Sequence, residues 1–186
     1  MITTRTLTMA TLILLSINPV SAELLKTGPS VFDYNYVDAA YIDDGDADGP
    51  GLRFSADIRE NYALTFGYSR LSAGGFDADT LSGDLIYHIE ATKFPQKADW
   101  VFNLGILLID VDGNDEAGLN AGAGIRYAVN DPLEVNGSIN LTTAFDADLA
   151  LNLRALYELS AGFTAFIETD IGNGSALAIG ARFYWR

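Results

Sequence analysis

Between Val31 and Trp185 the chain alternates apolar and polar positions with a period of two, in ten blocks separated by Gly, Asp and Asn clusters. The blocks span 32–42, 52–58, 62–71, 80–88, 100–111, 119–128, 133–141, 149–157, 163–170 and 176–185. In the second, Leu52, Phe54, Ala56 and Ile58 share one face, and Arg53, Ser55 and Asp57 share the other. In the seventh, Leu133, Val135, Gly137, Ile139 and Leu141 oppose Glu134, Asn136, Ser138 and Asn140. A helix turns every 3.6 residues and would mix these sets, whereas a strand keeps them apart. The pattern predicts an all-β chain: an antiparallel up-and-down meander of ten strands, with eight as the alternative count.

The connections alternate as well. Those at 59–61, 129–132 and 158–161 are short, with 89–98 the long exception. The intervening ones carry acid: Asp43, Asp44, Asp46 and Asp48, then Asp77 and Asp79, then Asp110, Asp112, Asp115 and Glu116. On a closed meander these acidic connections share one side, and an even strand count puts both termini on the other. Bacterial single-chain outer-membrane barrels are arranged this way, with short periplasmic turns and outward loops. Tyr62, Tyr87, Trp100, Tyr127, Tyr157 and Trp185 recur at one end of successive blocks, in register with the apolar residues. Amphipathic rings collect at headgroup level, so these six are expected to form a membrane-interface girdle.

Alternation alone leaves the barrel's sidedness open, because a soluble periplasmic ligand-binding barrel fills its interior with the apolar set. The opposite faces decide for the membrane. They carry Arg53, Arg126, Arg154 and Arg182 with Asp38, Asp57, Asp84, Glu134 and Glu168, interspersed with glycines and alanines. An arginine facing lipid at the bilayer midplane costs about 2–4 kcal/mol. Four on one parity therefore point inward, where they can pair with the carboxylates as a lumen charge network. About eight strands just enclose side chains while sixteen leave a channel, so ten predict a narrow, charge-filled barrel. A narrow porin passing small solutes or ions is the alternative.

The first residues change the picture of location. After Arg5 the stretch 7–17 is largely apolar, and Val20-Ser21-Ala22 makes a small-x-small cleavage pattern. The run is shorter than the roughly 20 residues of a spanning helix. It predicts a secretory signal peptide over 1–22 and a barrel domain over 23–186, with the cell outer membrane as destination. The chain has no cysteine, so an exported domain must be held by something other than disulfides, and barrel closure, which pairs every strand edge, is one such device. A net charge of −14 disfavours nucleic acid, whose phosphates need clustered Lys and Arg.

Several short motifs carry a family resemblance. Tyr34-Asn35-Tyr36-Val37-Asp38-Ala39-Ala40-Tyr41, Gly67-Tyr68-Ser69-Arg70-Leu71 and Tyr87-His88 resemble, in order and spacing, small "porin family" outer-membrane barrels of Gram-negative bacteria. The similarity is to the branch described as regulated by a diffusible signal factor. It implies an outer-membrane barrel with no catalytic residues to carry over. Phe183 and Trp185 are similar to the aromatic final-strand signal read by the barrel assembly machinery, although Arg186 follows where such chains end on the aromatic.

Two further constellations hint at chemistry. Asp44, Asp46 and Asp48 match the first half of a calcium loop, but the twelfth position is Ser55 where a bidentate Glu belongs. They are weak metal candidates, and a solvated acidic loop is the simpler expectation. His88, the sole histidine, closes a strand at the periplasmic side and is expected to be a rim residue; no nucleophile, base and orienting acid converge on it. The expected function is non-enzymatic and without cofactor: a structural or surface-interaction barrel, monomeric, in contact with outer-membrane lipid and lipopolysaccharide.

Overall fold

A computed structural model describes residues 30–172 and 174–185. The predicted signal peptide and Arg186 lie outside them. The chain forms ten strands: β1 Tyr36–Asp43, β2 Asp48–Arg59, β3 Tyr62–Ala73, β4 Phe76–Glu90, β5 Ala98–Val111, β6 Asn114–Asn130, β7 Leu133–Thr142, β8 Asp148–Ser160, β9 Phe163–Ile171 and β10 Ser175–Tyr184. Each pairs antiparallel with its sequence neighbours, and β1 pairs with β10 to close the barrel. No strand edge is left to recruit another chain.

The two ends of the barrel are built differently. At the end where β1 begins and β10 finishes, here the terminal end, the turns after β2, β6 and β8 each follow a register shift, at Asp57/Arg59, Ala128/Asn130 and Glu158/Ser160. Such bulges tighten the local twist and re-aim the strand into a short turn. At the opposite, loop end, Asp112 and Gly113 adopt φ values of 53° and 81°, both positive. That is the signature of a two-residue type I′ hairpin, whose twist matches the strands it joins.

Parity sorts the side chains as the alternation predicts. Leu52, Phe54, Phe66, Leu85, Leu104, Ile106, Leu119, Ile139, Leu153 and Ile179 stand on the outer surface, exposed, while Asp38, Arg126, Arg154, Glu168 and Arg182 are buried inside. Charged residues on the outward parity, such as Asp43, Arg70, Asp77, Asp79 and Asp110, occur near the loop end. A continuous apolar belt around a charged interior inverts the soluble arrangement and suits hydrocarbon as solvent. The fold is that of a transmembrane barrel.

Most strands outrun their predicted blocks, β2, β4 and β6 by four or five residues at the loop end, and the first falls short of its block. Alternation extends back to Phe32, yet pairing starts only at Tyr36. Residues 30–35 leave the sheet because buried groups at the terminal end bind them instead.

Candidate functional site

The chemistry of this chain lies in the lumen, where register places it. Asp38 of β1 sits opposite Arg182 of β10 and Arg53 of β2, and Arg154 of β8 sits opposite Glu168 of β9. Cross-strand partners on one face lie close enough to interact directly. Asp38 accepts hydrogen bonds from Arg182 Nε at 2.7 Å and Nη2 at 2.9 Å, and from Arg154 Nη1 at 2.7 Å. Glu168 accepts from Arg154 Nε at 2.7 Å and also from its Nη2. Arg53 approaches the same carboxylates only at 3.7 and 3.5 Å. Aromatic faces complete the shell: the Arg182 guanidinium lies 3.5 Å from the Tyr36 ring centroid and Arg154 4.3 Å from Phe166. Three guanidiniums thus share two buried carboxylates: Arg154 and Arg182 are paired and hydrogen-bonded as burial demands, while Arg53, half-buried, adds charge at longer range. This lattice occupies the β1, β2 and β8–β10 side of the lumen.

The terminal end is stoppered by residues 30–35. Asp99, at the start of β5, is fully buried and accepts from Ser30 Oγ at 2.5 Å, Val31 N at 3.2 Å and Tyr34 Oη at 3.3 Å. Burial pushes the Tyr34 phenol well above its ordinary pKa, so it keeps its proton and remains a donor. Its ring stacks on His88 with centroids 3.8 Å apart. The Arg126 guanidinium lies 4.6 Å from both the Phe32 and Tyr34 rings, donates to Asp33 O at 3.2 Å, and forms a fork with Glu134 at 2.9 and 3.1 Å.

The β4–β7 side of the lumen is open. A cavity of about 540 Å³ runs along it, lined by Asp84, Asn103, Asn120, Ser138 and Asn140, bounded on its far side by Arg53, Arg154, Glu168 and Arg182 of the lattice, and ending at Tyr34 and Arg126. Glycines keep it clear: a Cβ on Gly105 would overlap Asp84, one on Gly122 would overlap Asn103 and Asn140, and one on Gly124 would overlap Ser138. These polar side chains lie flat across the glycines instead of projecting into the space. Asp84, for example, accepts from Asn120 Nδ2 at 2.7 Å.

The predicted lumen residues all face inward, and most of them are linked. Arg53, Asp38, Arg154, Glu168 and Arg182 make the lattice; Arg126 and Glu134 pair near the terminal end and join it through the Tyr184 hydroxyl, which accepts from Arg126 Nη2 at 3.5 Å and Arg182 Nη1 at 3.4 Å. Asp84 bonds a carboxamide, and Asp57 lies 3.3 Å from His88 Nε2 and accepts from Asn35 Nδ2 at 3.0 Å. His88 itself is not a rim residue: it is buried inside the barrel beneath Tyr34, because the strand parity turns it to the lumen and residues 30–35 cover it. Its Nδ1 meets no hydrogen-bond partner among the described residues. Asp44, Asp46 and Asp48 do not converge. Asp44 Oδ1 accepts from Asp46 N at 3.1 Å and Ala47 N at 2.6 Å, and Asp48 accepts the Tyr41 hydroxyl. No group of three or more potential metal ligands occurs among the described residues.

Tyr62, Tyr87, Trp100, Tyr127, Tyr157 and Trp185 lie on outward positions at the terminal end, Tyr62 against Tyr87 at 5.1 Å between centroids. Phe94, in the connection after β4, joins Trp100 at 6.2 Å and Tyr127 at 5.8 Å, and Trp185 stacks on Phe54 at 4.7 Å. Phe183 is exposed beside it on the outer face. The sequence missed the rings at the other rim, Tyr41 and Tyr68, exposed with hydroxyls bonded to Asp48 and Asp79. It also missed Asp99, and with it the stopper.

No family model and no curated relative matches the sequence. Among solved structures, the chain is similar to the KdgM porin, at 9% identity over 81% of this chain and 99% of that one, with a TM-score of 0.51. The NanC porin aligns over 81% of this chain and 99% of that one at 10% identity and a TM-score of 0.48, and Neisserial surface protein A over 81% and 94% at 15% and 0.39. At such identities a likeness carries the fold and nothing finer, and the first of the three carries it. The chain has the closed antiparallel fold of a small outer-membrane β-barrel.

Proposed function

We propose that this chain is a non-enzymatic outer-membrane barrel whose lumen is closed, with a structural or surface-interaction role. The supporting observation is the pairing of buried layers: the Arg53, Asp38, Arg154, Glu168 and Arg182 lattice across one side, and Tyr34, Arg126 and Glu134 across the terminal end. The terminal end faces the periplasm and the acidic loop end faces outward, toward lipopolysaccharide. The outward apolar belt and its two aromatic rims contact lipid, and Phe183 and Trp185 present the strand end to the assembly machinery. The chain works as a monomer, since closure leaves no edge to pair. Membership of the diffusible-signal-factor-regulated branch rests on the three short motifs alone.

Catalysis is disfavoured on geometry. His88 and Asp57 adjoin each other, yet no hydroxyl is bonded to the imidazole among the described residues. A narrow porin is the second reading, favoured by the cavity along β4–β7. Planar-bilayer recording on purified protein tests the choice. The expected result is no steady unitary conductance; a stable open level in the unmodified chain would establish the porin instead.

A further inference from the structure

Two cavities enter the barrel from opposite ends and are lined in common by one residue. The cavity of about 540 Å³ along β4–β7 ends on Arg126 and Tyr34; a second, of about 580 Å³ at the terminal end, is lined by Phe32, Asp33, Glu134, Tyr184 and again Arg126. Between them stands the Arg126 guanidinium, clasped by the rings of Phe32 and Tyr34. The partition is one side-chain layer thick. The lattice does not supply it, because the lattice lies against the β1, β2 and β8–β10 wall and leaves the β4–β7 wall clear.

We infer that residues 30–34 are a gate, and that releasing them from Asp99 joins the two cavities into a conduit for small hydrated cations. This rests on the closed-lumen reading and adds the element that does the closing. Three features support it. The segment makes no strand pairing, so its removal breaks no ladder of the barrel. Its attachment centres on one carboxylate, Asp99, with Arg126 Nη1 holding Asp33 O as a second tie. The open wall carries polar groups able to hydrogen-bond the water around a passing cation, namely Asn103, Asn120, Ser138 and Asn140 with Asp84.

Cations follow from charge placement. The four lumen arginines, Arg53, Arg126, Arg154 and Arg182, share Asp38, Glu134 and Glu168, and Asp84, Asp148 and Asp170 line the cavity as well, so inward carboxylates outnumber guanidiniums. The loop end through which solute arrives carries Asp43, Asp44, Asp46, Asp48, Asp110 and Asp112. A mouth of one sign concentrates its counter-ion.

The test is planar-bilayer recording on the full chain and on two variants of unchanged length, each first shown to be folded by heat-modifiable gel mobility. Phe32→Ala with Tyr34→Ala removes the clasp; Asp99→Asn keeps the shape but weakens the attachment, in case the double variant does not fold. Losing charge-assisted hydrogen bonds shifts a two-state equilibrium by roughly tenfold or more. The unmodified chain is expected to stay silent, and the folded variants to show discrete openings whose reversal potential in a potassium chloride gradient indicates cation preference. Silent folded variants would overturn the gate, and anion preference would overturn the assigned cargo. Steady conductance in the unmodified chain would instead sink the closed-lumen reading itself, a result separate from either.

Discussion

The two sides of the lumen use polar residues in opposite ways. On the β1, β2 and β8–β10 side, long charged side chains reach across the interior and satisfy one another, so space is consumed. On the β4–β7 side, a short carboxylate, carboxamides and a hydroxyl fold down over Gly105, Gly122 and Gly124, so space is preserved. The first side pairs its buried charges; the second pairs Asp84 with Asn120 and Asn140 with Ser138 but leaves Asn136 Oδ1 without a partner among the described residues. The difference teaches that a ten-stranded cylinder is not filled or empty as a whole; each wall is set by the length of its inward side chains and the glycines beside them.

That contrast can be broken from either wall. The largest effect is expected for Arg182→Ala, which strips Asp38 of its two-pronged partner inside the barrel. Truncating one member of a buried ion pair costs about 3–5 kcal/mol, to be read as a lowered urea midpoint in detergent. Pairing Arg182→Met with Asp38→Leu is expected to recover only part of that loss, because Arg154 keeps Glu168 but loses its bond to Asp38. Next comes Leu104→Arg on the outer face of the open wall, where the side chain is 63% exposed to the surroundings. A cost of about 2–4 kcal/mol is expected if it faces hydrocarbon, measured by unfolding from lipid vesicles; a neutral result would contradict the inverted arrangement. Gly122→Ala drives a methyl group into Asn103 and Asn140 and is expected to cost about 1–3 kcal/mol, with the same urea titration as readout. Arg70→Ala, whose 2.6 Å pair with Asp77 sits exposed outside either wall, is expected to leave the urea midpoint unchanged.

Strand number and facing were legible in the sequence because lipid enforces them residue by residue. Arg53, Arg154 and Arg182 have one permissible direction, and a single inward arginine fixes the parity of its whole block. Parity says nothing of level along the axis or of partners several strands away. Asp57 and Asp84 therefore looked like members of the same network as Asp38, though one lies beside His88 and the other beneath Asn120. Phe32 and Tyr34 continued the alternation of the first block, which carries no mark of where pairing stops. What stops it is Asp99, remote in sequence, and nothing local to Ala98-Asp99-Trp100 signals that its carboxylate waits for Ser30.

The pair Asp38 and Arg182 lies where the first strand meets the last, so it is formed only when the cylinder shuts. A slip of two residues along that seam would keep every side chain on its proper face, and hydrophobicity would not resist it. Arg182 would then stand opposite Tyr36 or Ala40 in place of Asp38. A buried guanidinium parted from its carboxylate makes such a mismatch expensive. The ion pair thus proofreads the final stitch of assembly, a task that the apolar exterior, identical under either register, is unable to perform.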